Sequence, residues 1–193
     1  MEQTADSGEV VSFWLSQNDK VWFSANPAFD AEVLSRFAEL VERAKSGSLD
    51  HWADDPEGAL ALIILLDQMT RNIYRDSPEM FAADGKALKV ARRAIGRGFD
   101  MDLPKDKRRW LYMPFMHSED LADQERSVEL FERSEISESL PFAVEHADII
   151  RRFGRFPHRN AILGRETTPE EAAFRADGGF SGVTAQGPAE TGH

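Results

Sequence analysis

Apolar residues recur every three or four positions at Phe29, Val33, Phe37, Leu40, Val41 and Ala44, one stripe on a helix. Asn26-Pro27 supplies an N-cap and a proline suited to the first turn, and Gly47 supplies the stop. Asp55-Pro56 repeats the start signal, and the helix it opens should run to about Tyr74. That helix is apolar almost all round at Leu60, Ile63, Ile64, Leu65 and Leu66, which predicts a central position. Its last turns change character: Asp67, Arg71 and Arg75 are spaced by four and should line one face, with Gln68 and Asn72 beside them.

Upstream, Val10 to Leu15 reads as a short apolar helix, with Val21, Trp22 and Phe23 anchored in the core after a turn. Ser77-Pro78 opens a helix whose stripe is Phe81, Leu88, Ala91 and Ile95, ending at Gly96 and Gly98. Leu103-Pro104 opens a basic segment in which Pro114 should break the helix. Ser118 is a credible N-cap for a helix from Glu119 to about Glu135. A further helix runs from about Leu140 to Phe153, and Thr168-Pro169-Glu170-Glu171 matches the capping box of a short one over 169–176. No strand pattern is evident. The chain reads as all-α, with seven to eight antiparallel helices joined by short connections and packed as hairpins. Residues 1–176 should form one helical domain, and residues 177–193, rich in Gly, Ala, Thr and Ser, a disordered tail.

At 193 residues the chain suits a single domain able to bury a core. A net charge of -11 disfavours duplex nucleic acid and anionic membrane surfaces. The absence of cysteine removes disulfides and thiolate chemistry and is compatible with a reducing cytoplasm. The first ten residues carry no signal-peptide pattern, and the longest apolar run, 59–66, is too short to span a bilayer. The expectation is a cytoplasmic protein.

Against this acidic background, His146 to Arg165 stands out: HADIIRRFGRFPHRNAILGR holds two of the five histidines and five arginines. Phe153 and Phe156 interleave with the charges, and Gly154 and Pro157 break the helix, Gly154 permitting a left-handed turn. Such a bend aims cationic side chains at one place.

Three stretches now coincide: LLDQMTRNIYRDSPEMFAADGKA at 65–87, PFMHSEDLADQ at 114–124, and HADIIRRFGRFPHRNAILGRETTPEE at 146–171. Together with the early FWL and WF aromatic pairs they resemble the bacterial family called domain of unknown function 924, over roughly 10–175. The resemblance implies an all-helical fold similar to tetratricopeptide-like helix-hairpin proteins. It implies no activity.

The candidate chemistry follows from the residue types. If Arg71 and Arg75 meet Arg151, Arg155, Arg159 and Arg165, their guanidinium forks form a site for carboxylate or phosphate. The competing reading pairs the same arginines internally with Asp67, Asp76, Asp84, Glu119 or Asp120. His117, His146 and His158 sit beside helix ends and are candidate catalytic acid–base groups, one of them oriented by Asp67 or Glu119. The competing reading makes them structural caps, hydrogen-bonded at helix ends. Their spacing matches no zinc signature, so no metal or other cofactor is expected. The expected ligand-binding set is Asp67, Arg71, Arg75, Gln124, Arg155, Arg159, Asn160 and Arg165. Two functions compete: a pocket for a small anionic molecule, with acid–base catalysis by histidine, and a helical-repeat-like module that binds protein partners, in which FGRFPHRN is a structural buckle.

Overall fold

The computed structural model describes residues 6–22, 24–134 and 136–182. Residues 1–5 at the start of the expected domain, Phe23 within the expected aromatic anchor, Glu135 at the expected end of the helix after Ser118, and 183–193 within the expected tail lie outside the described residues. Those described form ten helices and no strand, slightly more helices than the seven to eight expected. α1 is Ser7–Leu15, α2 Asp19–Trp22 and α3 Pro27–Ser46. α4 is a continuous run of Pro56–Ile63, Ile64–Met69 and Thr70–Ile73. α5 is Asp84–Gly96, α6 Phe99–Asp102, α7 Lys105–Met116, α8 Leu121–Ser134, α9 Leu140–Phe153 and α10 Pro169–Ala176. No described helix is long and apolar enough to cross a membrane.

α4 is the central post. Every residue from Gly58 to Thr70 is buried, and α1, α3, α5 and α7 pack around it. The all-round apolar pattern foretold this, because a helix without a polar face has nowhere stable except the interior. Its entry is tight: Asp55 accepts from the Gly58 backbone N–H at 2.9 Å, and a Cβ on Gly58 would stand 2.1 Å from the Trp52 carbonyl oxygen. Only glycine fits that approach. The aromatic residues Trp14, Phe29, Phe37, Trp110, Tyr112 and Phe131 fill the space around α4. α7, α8 and α9 then pack in succession, each on the one before.

Four features depart from the expected elements. Ser77-Pro78 opens only the 3-10 turn Pro78–Phe81, and the helix carrying Leu88, Ala91 and Ile95 starts at Asp84. Ile64–Met69 is a π turn, one residue wider than an α turn. Pro114 does not end α7 but lies inside it. The helix stops two residues later, so the missing N–H removes one bond from a final turn that His117 N still closes onto Met113 O at 3.0 Å. α8 begins at Leu121 rather than 119, and its first N–H groups are taken by Asp120, which accepts from Ala122 and Asp123 at 2.9 and 3.3 Å. Packing continues beyond Ala176: the Phe180 ring lies 4.4 Å from His146 and 5.1 Å from His158, centroid to centroid.

Candidate functional site

The π turn of α4 places Asp67 in the interior with no solvent exposure. A carboxylate there needs partners, and several converge on it. His117, at the end of α7, points Nδ1 at both carboxylate oxygens, 2.8 and 3.0 Å away. Gln68 Nε2 donates to Oδ2 at 2.5 Å. Arg71, one turn on, donates to the Asp67 carbonyl and brings Nη1 to 3.5 Å from Oδ1. Burial alone would raise this carboxyl, but the charges of His117 and Arg71 and the hydrogen bonds from His117 and Gln68 outweigh it and hold it at about 2. An ionised carboxylate can only accept, so His117 Nδ1 carries the proton. Nε2 of that ring makes no hydrogen bond to the described residues and belongs to a residue on the pocket wall.

Arg159 arrives from the FGRFPHRN bend. It is 7% exposed and its guanidinium lies between two rings, 4.6 Å from the Phe81 centroid and 4.7 Å from that of Phe156. Nη2 donates to the His117 carbonyl at 2.9 Å, tying the bend to the end of α7. Asp84, the first residue of α5, links the two arginines: Oδ2 accepts from Arg71 Nη2 at 3.0 Å and stands 3.7 Å from Arg159 Nη1. Burial lowers the Arg159 guanidinium to about 10, and Arg71 adds to the shift. Burial raises the Asp84 carboxyl, helped by Asp67 and opposed by Arg71. These groups border a pocket of about 380 Å³ whose wall includes Phe81, Asp84, Leu88, His117, Arg159 and Leu163.

Arg155, Asn160 and Arg165 form a second, adjoining network. Arg165 grips Glu119 with both terminal nitrogens, at 2.7 and 3.0 Å, and donates to Phe156 O at 3.0 Å. Glu119 also accepts from the Phe156 N–H at 2.8 Å. Arg155 forks onto Glu171 at 2.6 and 2.9 Å. Asn160 donates to Glu171 at 3.1 Å and accepts from Arg165 Nε at 3.0 Å. Arg155 and Asn160 thus clamp α10 to the bend through Glu171, and Arg165 ties the bend to Glu119 ahead of α8. The exposed Arg151 and Arg152 pair with Asp148 and Glu170.

Two candidates lie elsewhere. Arg75 turns to Asp30 on α3, at 2.6 and 2.8 Å. Gln124 donates to the carbonyls of Met116 and Ser118 at 2.7 and 2.6 Å, closing the end of α7. His146 and His158 form a third group, packed on Phe156 and Phe180. His146 Nδ1 donates to Phe142 O at 2.7 Å. Burial drives both imidazoles down to about 3, so they are neutral at ordinary pH.

Of the three histidines, His117 therefore has the carboxylate partner that sequence reasoning sought, and Asp67 rather than Glu119 supplies it. Asp84 was visible in the sequence only as an internal counter-ion, because nothing in its spacing relates it to Arg159. Glu171 showed its capping-box role and not its second one, as the acceptor for Arg155 and Asn160.

Residues 10–179 match the model of a family described as bacterial protein of unknown function, DUF924. A solved structure of a protein of unknown function from Agrobacterium tumefaciens is similar to this chain, with 42% identity and a TM-score of 0.85, covering 89% of this chain and 97% of that one. No curated protein matches the chain.

Proposed function

The chain belongs to DUF924, a family of bacterial proteins of unknown function, and from the geometry of its pocket we propose that it binds a small molecule with a carboxylate or phosphate end and moves a proton on it. The observation that carries this reading is the Asp67–His117 pair at the pocket wall. A fully buried carboxylate is costly to keep ionised, and here it fixes one imidazole in one tautomer. Nε2 of His117 is then the ring nitrogen not held by Asp67, placed to exchange a proton with a bound molecule. Arg159 supplies positive charge on the same wall, where low dielectric strengthens its hold on an anionic group. The pocket volume, about 380 Å³, suits a small metabolite rather than a polymer.

A thermal-shift screen of short carboxylates and inorganic phosphate, with the His117 ring followed by NMR, tests the reading. The expected result is a rise in melting temperature with at least one anion and a moved His117 resonance. An unchanged melting temperature with every anion, and an unmoved ring, would reject it.

The internal pairing of Arg155, Asn160 and Arg165 favours a second reading, in which the bend is a structural buckle and the protein binds partners on its surface. Phe142 and Val144, 45% and 41% exposed on α9, are the apolar side chains such a surface would use. Pull-down with Phe142→Ser as the control tests it: partners captured equally by both forms, or none at all, would count against it.

A further inference from the structure

α9 buries Ala143, Ala147 and Ile150 on its inner side and packs on α8. Its outer side carries the exposed residues Glu145, Asp148 and Arg152. Beside them runs a groove of about 380 Å³ between α9 and α10, with Val144, Ile149, Phe153 and Phe174 in its walls. The charges on this face are ordered: two carboxylates, Glu145 and Asp148, precede two guanidiniums, Arg151 and Arg152. Asp148 and Arg151 pair with each other at 2.5 Å. Glu145 and Arg152 cannot, because seven residues place them on one stripe but two turns, about 10 Å, apart. Glu145 makes no side-chain hydrogen bond or ion pair to a described residue. Arg152 donates to Glu170 through Nε at 3.0 Å and lies 4.7 Å from the Phe153 centroid. Its two terminal nitrogens have no hydrogen-bond partner among the described residues.

One face thus holds an acceptor and a donor that are complementary and out of each other's reach. A second copy of the same helix, laid antiparallel across it, brings them together. With a two-fold axis between positions 148 and 149, Glu145 stands opposite Arg152 of the second copy, and Arg152 opposite its Glu145. That reciprocity is what an isologous contact requires, and antiparallel helix dipoles agree with it. The charge balance also favours a like partner. At net charge -11 most of the surface repels a second copy, whereas the four charges of this face cancel. Phe142 and Val144, 45% and 41% exposed, flank the stripe and supply apolar area. We propose that the outer face of α9, with its groove against α10, joins two copies of this chain in a symmetric antiparallel dimer. The inference names a partner for the surface reading above and does not depend on the anion pocket.

The experiment is sedimentation velocity of the full-length protein over a range of micromolar concentrations. A species of twice 21.7 kDa is expected. Glu145→Lys and Arg152→Glu should each weaken the dimer about tenfold or more, because each sets like charges face to face. Mixed in equal amounts, the two variants should regain it, since both crossing pairs are then opposite in sign. Mixing does not mend a folding defect, so recovery reports the contact itself. The chain has no cysteine, so Asp148→Cys places a single thiol beside the axis. Oxidation should link two copies through it, whereas Glu39→Cys, at an exposed position of α3, should stay unlinked. If Arg152→Glu does not fold, the two cysteine variants decide. A dimer indifferent to both charge changes, a mixture no tighter than its components, or equal linking at the two cysteine positions overturns the proposal. A monomer at every concentration also overturns it, and leaves the face to a different protein, which the pull-down above seeks.

Discussion

Asp67 is the residue on which the site turns, since its charge is buried and matched by His117, Gln68 and Arg71 at once. Asp67→Asn keeps the shape and removes the charge. It should cost about 2–4 kcal/mol in urea unfolding, because it weakens a buried ionic set whose cations stay behind. A loss within about 0.5 kcal/mol would show that the set contributes little. Arg155→Ala should lower the unfolding midpoint clearly, since it releases both oxygens of Glu171 and the Glu166 carbonyl. Arg97→Ala should barely move it, because Arg97 is 44% exposed and reaches Asp54 only at 3.8 Å. Equal midpoints for the two variants would contradict the clamp assigned to Arg155. At this scale the spacing of four between Asp67 and Arg71 was readable and correct. The same spacing misled at Arg75, because α4 ends at Ile73 and the chain has turned toward α3 before it reaches that residue. The meeting of Arg159 with Asp84 was not readable, since it joins two bends far apart in sequence.

Helix ends are where the sequence spoke most plainly. Asn26, Asp55 and Thr168 each accept from a backbone N–H of the first turn, and Gly47 and Gly154 close helices at φ 94° and 68°. These signals are local, so they survive without knowledge of the tertiary fold. The π turn and the embedded Pro114 are different. Each is a local cost accepted because neighbouring helices bury the segment, and no local pattern announces it. Two substitutions separate these kinds of constraint. Gly58→Ala must push α4 away from the Trp52 carbonyl and should destabilise by about 2–4 kcal/mol. Gly154→Ala meets no atom within 4 Å, so it should cost only the left-handed backbone, about 1 kcal/mol. Thermal or urea unfolding of the pair should keep that order. A Gly58→Ala protein as stable as Gly154→Ala would mean that the close approach relaxes freely.

For the whole molecule, the buried histidines set the response to acid. His146 and His158 are held at about 3 by burial, against about 6.5 for a free imidazole. As pH falls below about 6.5, the unfolded chain takes up protons that the folded chain refuses. Stability is therefore complete above about pH 6.5 and is lost as pH falls from there toward 3. Asp67 and Glu171, both held at about 2, act in a lower window. Their contribution is present above the ordinary carboxyl range near 4 and is lost as pH falls toward 2. The melting temperature should thus decline between pH 6.5 and 5, before carboxylates titrate. His158→Phe removes one titrating ring and a buried Nδ1 that has no partner among the described residues, and should make that decline shallower. An unchanged slope would show that the two imidazoles do not govern acid sensitivity. The all-helical class and the central place of α4 were legible from periodicity alone. The third group was not, because Phe180 sits in a glycine-rich stretch whose composition suggested no packing.

A π turn is an α-helix that has accepted one surplus residue, so the stretch Ile64–Met69 has the form of an insertion retained. The consequence is a length fingerprint. A homologous chain one residue shorter between these points would relax to an unbroken helix, swing the carboxylate about a quarter-turn round its axis and leave His117 without its anchor, while its core remained filled. Counting residues across this run would therefore sort relatives that kept the pair from relatives that kept only the scaffold.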